Sequence, residues 1–118
     1  MKQYVVRDAT RHIEFTGVEL ASVSSNEDGK SRWIELSLYK TRGGMYVLAG
    51  CGKSVVPGET DRPWVQQSED PYGIIDRLYL FNDDTGAKYI PRTSRRLLED
   101  ASRVDDSIKR AYATEHVA

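Results

Sequence analysis

A chain of 118 residues, 39% hydrophobic and 30% charged, has the composition of one soluble globular domain. No apolar run approaches the ~20 residues that cross a bilayer, and the N-terminal residues lack the apolar stretch of a secretion signal. The single cysteine cannot form an internal disulfide, so we expect a cytoplasmic protein without membrane partners. The net charge of −1 is unlike the strongly basic balance of typical nucleic-acid-binding domains, although residues 57–84 are locally acidic.

The first half of the chain has the alternating pattern of antiparallel strands. A short strand is predicted over residues 2–7 and a longer one over residues 11–24. In the longer strand the alternation changes parity around Gly17, which predicts a β-bulge there. The turn-forming residues 25–29 then lead into a third strand.

Residues 32–56 predict a β-hairpin that turns at Gly43-Gly44. A two-residue loop pairs Leu38 with Ala49, whereas a three-residue loop turns every side chain of the second strand to the opposite face. We prefer the two-residue loop because it collects more aliphatic side chains on one face. The other face then forms an aromatic surface for a partner, consisting of Trp33, Tyr39 and Tyr46.

Residues 57–70 have no hydrophobic period and contain several turn-forming residues, so we predict a long loop. Loops of this length inside a compact domain are usually functional or mobile. We expect Trp64 to tether the loop by packing onto the sheet. With Asp61 and Arg62, it completes the candidate interaction residues.

The remainder of the chain is mainly helical in pattern. Asp70 followed by Pro71 predicts the start of a helix over residues 71–81, although residues 78–81 have an equally strand-like composition. A turn at 82–86 and a short strand at 87–90 follow. Thr93 is a candidate N-cap for a helical stretch over 93–113. Asp105 and its neighbours can cap a second helix, so we predict a kink or break at that point.

These elements predict an α+β fold, in which an antiparallel β-meander of about four strands is packed by two or three C-terminal helices. The chain forms a single domain over 1–118. Its parts are the meander at 1–56, the loop at 57–70 and the helical cover at 71–113.

Local motifs do not assemble a catalytic, metal or cofactor site. Gly52-Lys53-Ser54 lacks the preceding glycine and following helix of a phosphate-binding loop. Asp84-Thr85-Gly86 resembles an aspartic-protease signature, but a turn explains it fully. His12, His116 and Cys51 are too dispersed for a zinc site, and Cys51 belongs to the apolar face of the preferred hairpin.

A nucleic-acid-binding alternative rests on four arginines that share one stripe if the C-terminal helix is continuous. These residues are Arg92, Arg96, Arg103 and Arg110. Such a stripe can contact phosphates. Asp100 and Asp106, however, stand four residues from Arg96 and Arg110, which is the usual arrangement of a solvated helix. We therefore rank nucleic acid below a protein partner.

Part of the chain resembles small proteins of the EXLDI type, which are actinobacterial and phage-associated. The resemblance lies in Phe15-Thr16-Gly17, in Glu19-Leu20-Ala21 and in the hairpin run from Leu38 to Leu48. The short motif that names the family is missing. The resemblance implies an accessory protein of a bacterium, phage or mobile element, and it supplies no catalytic residues.

Together these features predict a non-enzymatic protein-interaction module that works without a cofactor. Its partner would contact the aromatic sheet face, the 57–70 loop, or both. Self-association through exposed strand edges stays open.

Overall fold

A computed structural model describes residues 1–113, which form a five-stranded antiparallel sheet, a two-stranded hairpin and three helices. The elements are β1 (Lys2–Asp8), β2 (Arg11–Ser24), β3 (Arg32–Thr41), β4 (Tyr46–Ser54), β5 (Arg62–Ser68), α1 (Pro71–Leu78), β6 (Leu80–Phe81), β7 (Lys88–Tyr89), α2 (Arg92–Ser102) and α3 (Asp106–Ala113). Strands β1 to β5 lie in sequence order in the sheet, and β6 pairs with β7. The predicted α+β meander with C-terminal helices is confirmed, with five strands in place of about four.

The β3–β4 hairpin turns through three residues, so the preferred two-residue loop was wrong. The Thr41 N–H donates to the Met45 carbonyl at 2.7 Å, and Gly44 takes a φ of 89°. Leu38 consequently lies opposite Leu48 rather than Ala49. Because side chains alternate along a strand, the shift moves every β4 side chain to the face opposite the one predicted.

One face of the sheet packs against the three helices and holds the main core. It carries aliphatic side chains from β2, β3 and β4, and each helix adds its own apolar stripe. Eight of the largest fully buried side chains are Leu36, Leu38, Val47, Leu48, Ile74, Leu97, Leu98 and Ile108. All of them except Val47 lie in this helix-covered core.

The other face is concave, because the sheet curls until its first and last strands meet. The Ala9 N–H, at the end of β1, donates to the Pro63 carbonyl of β5 at 3.0 Å. Val6 and Val47 are buried within this concave face, outside the helix-covered core. The sheet therefore has two buried faces rather than one.

Strand β5 occupies half of the segment that was predicted to be a loop. Residues 62–68 pair along their length with β4, which leaves 57–61 as the connection. Proline is tolerated in β5 because the strand lies at the edge of the sheet, where one side of its backbone donates no ladder bond.

The β-bulge lies three residues beyond Gly17, between Glu19 and Ala21. Gly17 itself pairs regularly with Thr41. A Cβ atom at Gly17 would overlap the Lys40 carbonyl oxygen and lie 2.9 Å from the Thr41 Cα. Glycine is needed there for a close approach of two backbones, which a parity pattern does not distinguish from a bulge.

Two of the three predicted helix caps are confirmed. Asp70 accepts from the Gly73 N–H at 3.0 Å, and α1 ends at Leu78, so residues 80–81 form a strand. Asp105 caps α3, which confirms the break. Thr93 is not a cap, because α2 begins one residue earlier with Pro91 as its N-cap and without a capping side chain. Within residues 1–113, no helix is long and apolar enough to span a membrane.

Candidate functional site

Tyr46 lies inside the helix-covered core and is inaccessible to a partner. It is 2% exposed, and its hydroxyl donates to Asp105 Oδ1 at 3.0 Å. The same carboxylate accepts from Lys40 Nζ at 3.1 Å and from the Ile108 N–H at 2.9 Å. Burial alone would raise the pKa of Asp105, but these three hydrogen bonds outweigh it and hold the pKa below its usual value. The assignment of Tyr46 to an exposed aromatic face was therefore wrong, because the three-residue loop turns the β4 side chains to the opposite face of the sheet.

The predicted aromatic face is the concave face, and it is largely filled. The Tyr39 ring contacts the rings of Tyr4 and Phe15, with centroids 4.7 and 5.2 Å apart. Burial raises the pKa of the Tyr39 hydroxyl. Trp33 is half-buried and donates through Nε1 to Glu35 at 3.0 Å. Strands β1 and β2 supply the covering rings, which the hairpin sequence alone does not show.

A cavity of about 240 Å³ opens at one end of the concave face. Its ionisable lining includes Glu35, Cys51 and the Lys53–Asp61 ion pair, in which Nζ and Oδ2 are 3.1 Å apart. Cys51 lies here, opposite Glu35, and not on the helix-covered face where the sequence placed it. Burial raises the pKa of the Cys51 thiol, so it stays protonated near neutral pH and is a poor nucleophile.

Trp64, by contrast, helps to form an apolar groove on the helix side of the sheet. Its indole lies across Gly50, where a Cβ atom would overlap the ring. The Arg77 guanidinium carbon stacks over the indole, 4.5 Å from the ring centroid. Trp64 thus packs onto the sheet as predicted, although from a strand and not a loop. Asp61 and Arg62 are exposed and lie away from this groove.

The apolar groove has a volume of about 300 Å³ and lies between the sheet, α1, the β6–β7 hairpin and the start of α2. Its apolar lining is Ile34, Leu36, Trp64, Leu78, Leu80 and Pro91. Four polar residues complete the wall: Ser25, Arg77, Thr93 and Ser94. This mixture of a mostly apolar lining with a few polar groups is typical of a binding site.

The β6–β7 hairpin extends the apolar surface outward from the groove. Leu80 pairs with Tyr89, so their side chains share a face, and they are 45% and 46% exposed. Phe81 is 65% exposed on the opposite face. The hairpin turns at Asn82, whose side chain accepts from the Asp84 and Thr85 N–H groups. The Asp-Thr-Gly motif is therefore part of this turn, as predicted.

A polar cavity of about 250 Å³ adjoins the apolar groove. Ser25 and Thr93 line both. The polar cavity is also lined by three basic side chains and one acidic one, which are Lys30, Arg92, Arg96 and Glu27. Within residues 1–113, neither Arg92 nor Arg96 forms an ion pair.

The four predicted nucleic-acid-binding arginines do not form one stripe. Arg92 and Arg96 lie on α2 beside the polar cavity, whereas Arg110 lies on α3 beyond the helix break. Arg103 is the C-cap of α2 and pairs with Asp100, with 3.4 Å between Nη1 and Oδ1. The predicted pairing of Asp100 with Arg96 is therefore not the one that forms.

The remaining motifs lie in regular structure. Gly52-Lys53-Ser54 belongs to β4 and is not followed by a helix. Within the described part of the chain, no group of three or more acidic, histidine or cysteine side chains is arranged to hold a metal ion. His116 lies outside the described residues.

No protein-family model, curated protein or solved structure matches this chain. The resemblance to EXLDI-type proteins consequently stays a prediction from sequence.

The sequence analysis missed the groove because its walls come from five separate segments. One local signal was present, because Leu80 and Tyr89 are large apolar residues on either side of a turn. The neighbouring sequence has no periodic run of apolar residues that would bury both of them, so an exposed apolar surface could have been expected. Because residues 78–81 were left open between helix and strand, that signal was not developed.

Proposed function

We propose that this protein is a non-enzymatic interaction module that binds another protein through the apolar groove and the Leu80–Tyr89 face of the β6–β7 hairpin. The observation that carries the proposal is the continuity of these two surfaces: Leu80 lines the groove and also contributes to the exposed face. A large apolar side chain of a partner would fill the groove, while the hairpin covers the rest of the contact. Filled pockets at the centre of an interface usually contribute most of the binding energy.

The proposal keeps the predicted class of function but moves its location. Of the six residues first selected for protein contact, Trp64 alone lines the groove. From the resemblance to EXLDI-type proteins, we further propose a cytoplasmic accessory role in a phage or mobile element. A nucleic-acid-binding function has weaker support, because the arginine stripe is divided.

The test is a selection of random 12-residue peptides, displayed by their C-terminal ends, against the immobilised full chain and two variants. Leu80→Ser removes an apolar side chain from the groove face. Phe81→Ser is the matched control, because it changes the adjacent and more exposed residue on the opposite face of the same strand. We expect selected peptides to lose at least tenfold in affinity with Leu80→Ser and less than threefold with Phe81→Ser.

Equal losses in the two variants, or no peptide that distinguishes wild type from Leu80→Ser, would contradict the proposed site. Circular dichroism and urea unfolding establish that both variants are folded. Both substitutions lie on a short, exposed hairpin, so we expect little change in the main sheet.

A further inference from the structure

We infer that the partner segment is acidic as well as apolar: an Asp or Glu side chain of the partner lies at the first turn of α2 while a neighbouring apolar side chain fills the groove. This inference rests on the proposed function and specifies the chemistry of the partner at the same site.

The first turn of α2 offers backbone donors that the protein does not use. The helix is 11 residues long, its N-cap is Pro91, and no side chain caps it. Proline has no N–H, so the orphan donors are those of Arg92, Thr93 and Ser94. Within residues 1–113 none of these three donates a hydrogen bond. Unused N–H groups at the positive end of a helix dipole favour a carboxylate.

Ser94 provides an independent sign of a ligand. The residue is only 7% exposed, yet no hydrogen bond within the described residues involves its hydroxyl. Within residues 1–113 no fully buried side-chain polar atom lacks a partner, so the Ser94 oxygen keeps some accessible surface, and Ser94 lines the groove. An accessible hydroxyl without a protein partner is free to bond a ligand or water. The hydroxyl can donate to a carboxylate oxygen.

The surrounding charges favour an acidic ligand. The polar cavity meets the apolar groove at Ser25 and Thr93, and it adds Lys30, Arg92 and Arg96 against the single carboxylate of Glu27. Lys30 is held in place by donating to the Ser25 carbonyl at 2.9 Å. A peptide that crosses the junction therefore passes from an apolar wall to one with a net positive charge within a few residues. Charge complementarity of this kind sets which partner binds and how it is oriented.

The test uses the same displayed library, in which the peptide C-terminus is fused and only side chains carry carboxylates. We expect peptides retained by the wild-type chain to combine a large apolar residue with Asp or Glu within about four positions. Arg96→Glu is expected to weaken these peptides at least tenfold. Arg95→Glu is the matched control, because it makes the same charge change at an exposed position of the same helix but lines neither cavity; we expect less than a threefold effect.

The outcomes separate the two proposals. Peptides that depend on Leu80 but contain no excess of Asp or Glu, and that bind Arg96→Glu as well as wild type, would overturn the acidic partner and leave the proposed function standing. Equal effects of Arg95→Glu and Arg96→Glu would also overturn it, since they indicate general charge attraction. A fluorescent 20-residue oligothymidine that displaces the peptides, with steeply salt-dependent binding, would assign the basic cavity to nucleic acid instead. No Leu80-dependent peptide at all would refute both proposals.

Discussion

Removing the carboxylate of Asp105 should destabilise the protein more than any other single polar substitution considered in this chain. Asp105→Ala removes the cap of α3, which costs about 1 kcal/mol. It also leaves the buried Tyr46 hydroxyl without its acceptor, at a cost of about 1.5–2 kcal/mol. Lys40 is partly exposed, so its loss adds only about 0.5 kcal/mol. We expect a total near 3–3.5 kcal/mol, or a melting temperature lower by roughly 12–14 °C.

Urea unfolding followed by circular dichroism measures this loss directly. Asp105→Asn keeps an acceptor for the Ile108 N–H but loses the charge, so about half of the effect should remain. Asp106→Asn is the control, because Asp106 is exposed in the same turn; it should change stability by less than about 0.5 kcal/mol. A loss below about 1 kcal/mol for Asp105→Ala would refute the role given to this network.

The same network predicts a dependence on pH. Because the folded-state pKa of Asp105 is lowered, its contribution is complete above the usual aspartate pKa of 3.8 and is lost as the pH falls through the folded value. The stability difference between wild type and Asp105→Asn should therefore be constant from about pH 5 to 7 and should shrink in more acidic solution. A difference that grows on acidification would contradict the sign of the shift.

Three further predictions concern tight packing and a surface ion pair. Gly50→Ala should push the Trp64 ring out of the groove, cost about 1–3 kcal/mol and shift the tryptophan fluorescence; unchanged fluorescence and stability would count against the contact. Gly17→Ala should cost at least about 2 kcal/mol in a urea titration because its Cβ meets backbone atoms that cannot move aside, whereas Gly43→Ala, whose Cβ meets only the Thr41 hydroxyl at 3.9 Å, should be nearly neutral. Glu59 has a pKa lowered to about 2 by an arginine partner, so its contribution is present above the usual glutamate pKa and is lost as the pH falls toward 2. The pair lies at the surface and is screened, however, and Glu59→Gln should leave the melting temperature at physiological salt indistinguishable from wild type.

The hairpin register shows why apolar patterning predicted the fold class but not the faces. Counting aliphatic residues favoured pairing Leu38 with Ala49, on the assumption that one face of the sheet is buried. The curled sheet buries both, since Val47 lies on the concave face and Leu48 on the helix side. When both faces need apolar side chains, the count no longer identifies the register, and the turn geometry at Gly44 decides it.

Strand β5 was missed for a related reason. Its residues include Pro63, which is typical of loops. They also include Gln66 and Gln67, which place one polar side chain on each face of the strand and so interrupt the apolar alternation. Edge strands accept all three, because one backbone side is unpaired and the surface is partly solvated. The caps at Asp70 and Asp105 were predictable because an aspartate before a helical pattern is a local signal, although the corresponding signal at Thr93 failed. The groove was not, because it requires the tertiary positions of β5, α1 and α2.

The seam between β1 and β5 has a consequence for behaviour at high concentration. In an open sheet, the outer edges of the first and last strands present unpaired backbone groups on which strands of other chains can grow. In this protein the end of β1 meets the start of β5, where the Ala9 N–H is bonded to the Pro63 carbonyl and Pro63 has no N–H to offer. A second chain would have to open the seam before adding a strand. We therefore expect strand addition to be disfavoured at this end of the sheet, so that self-association there depends on side-chain contacts.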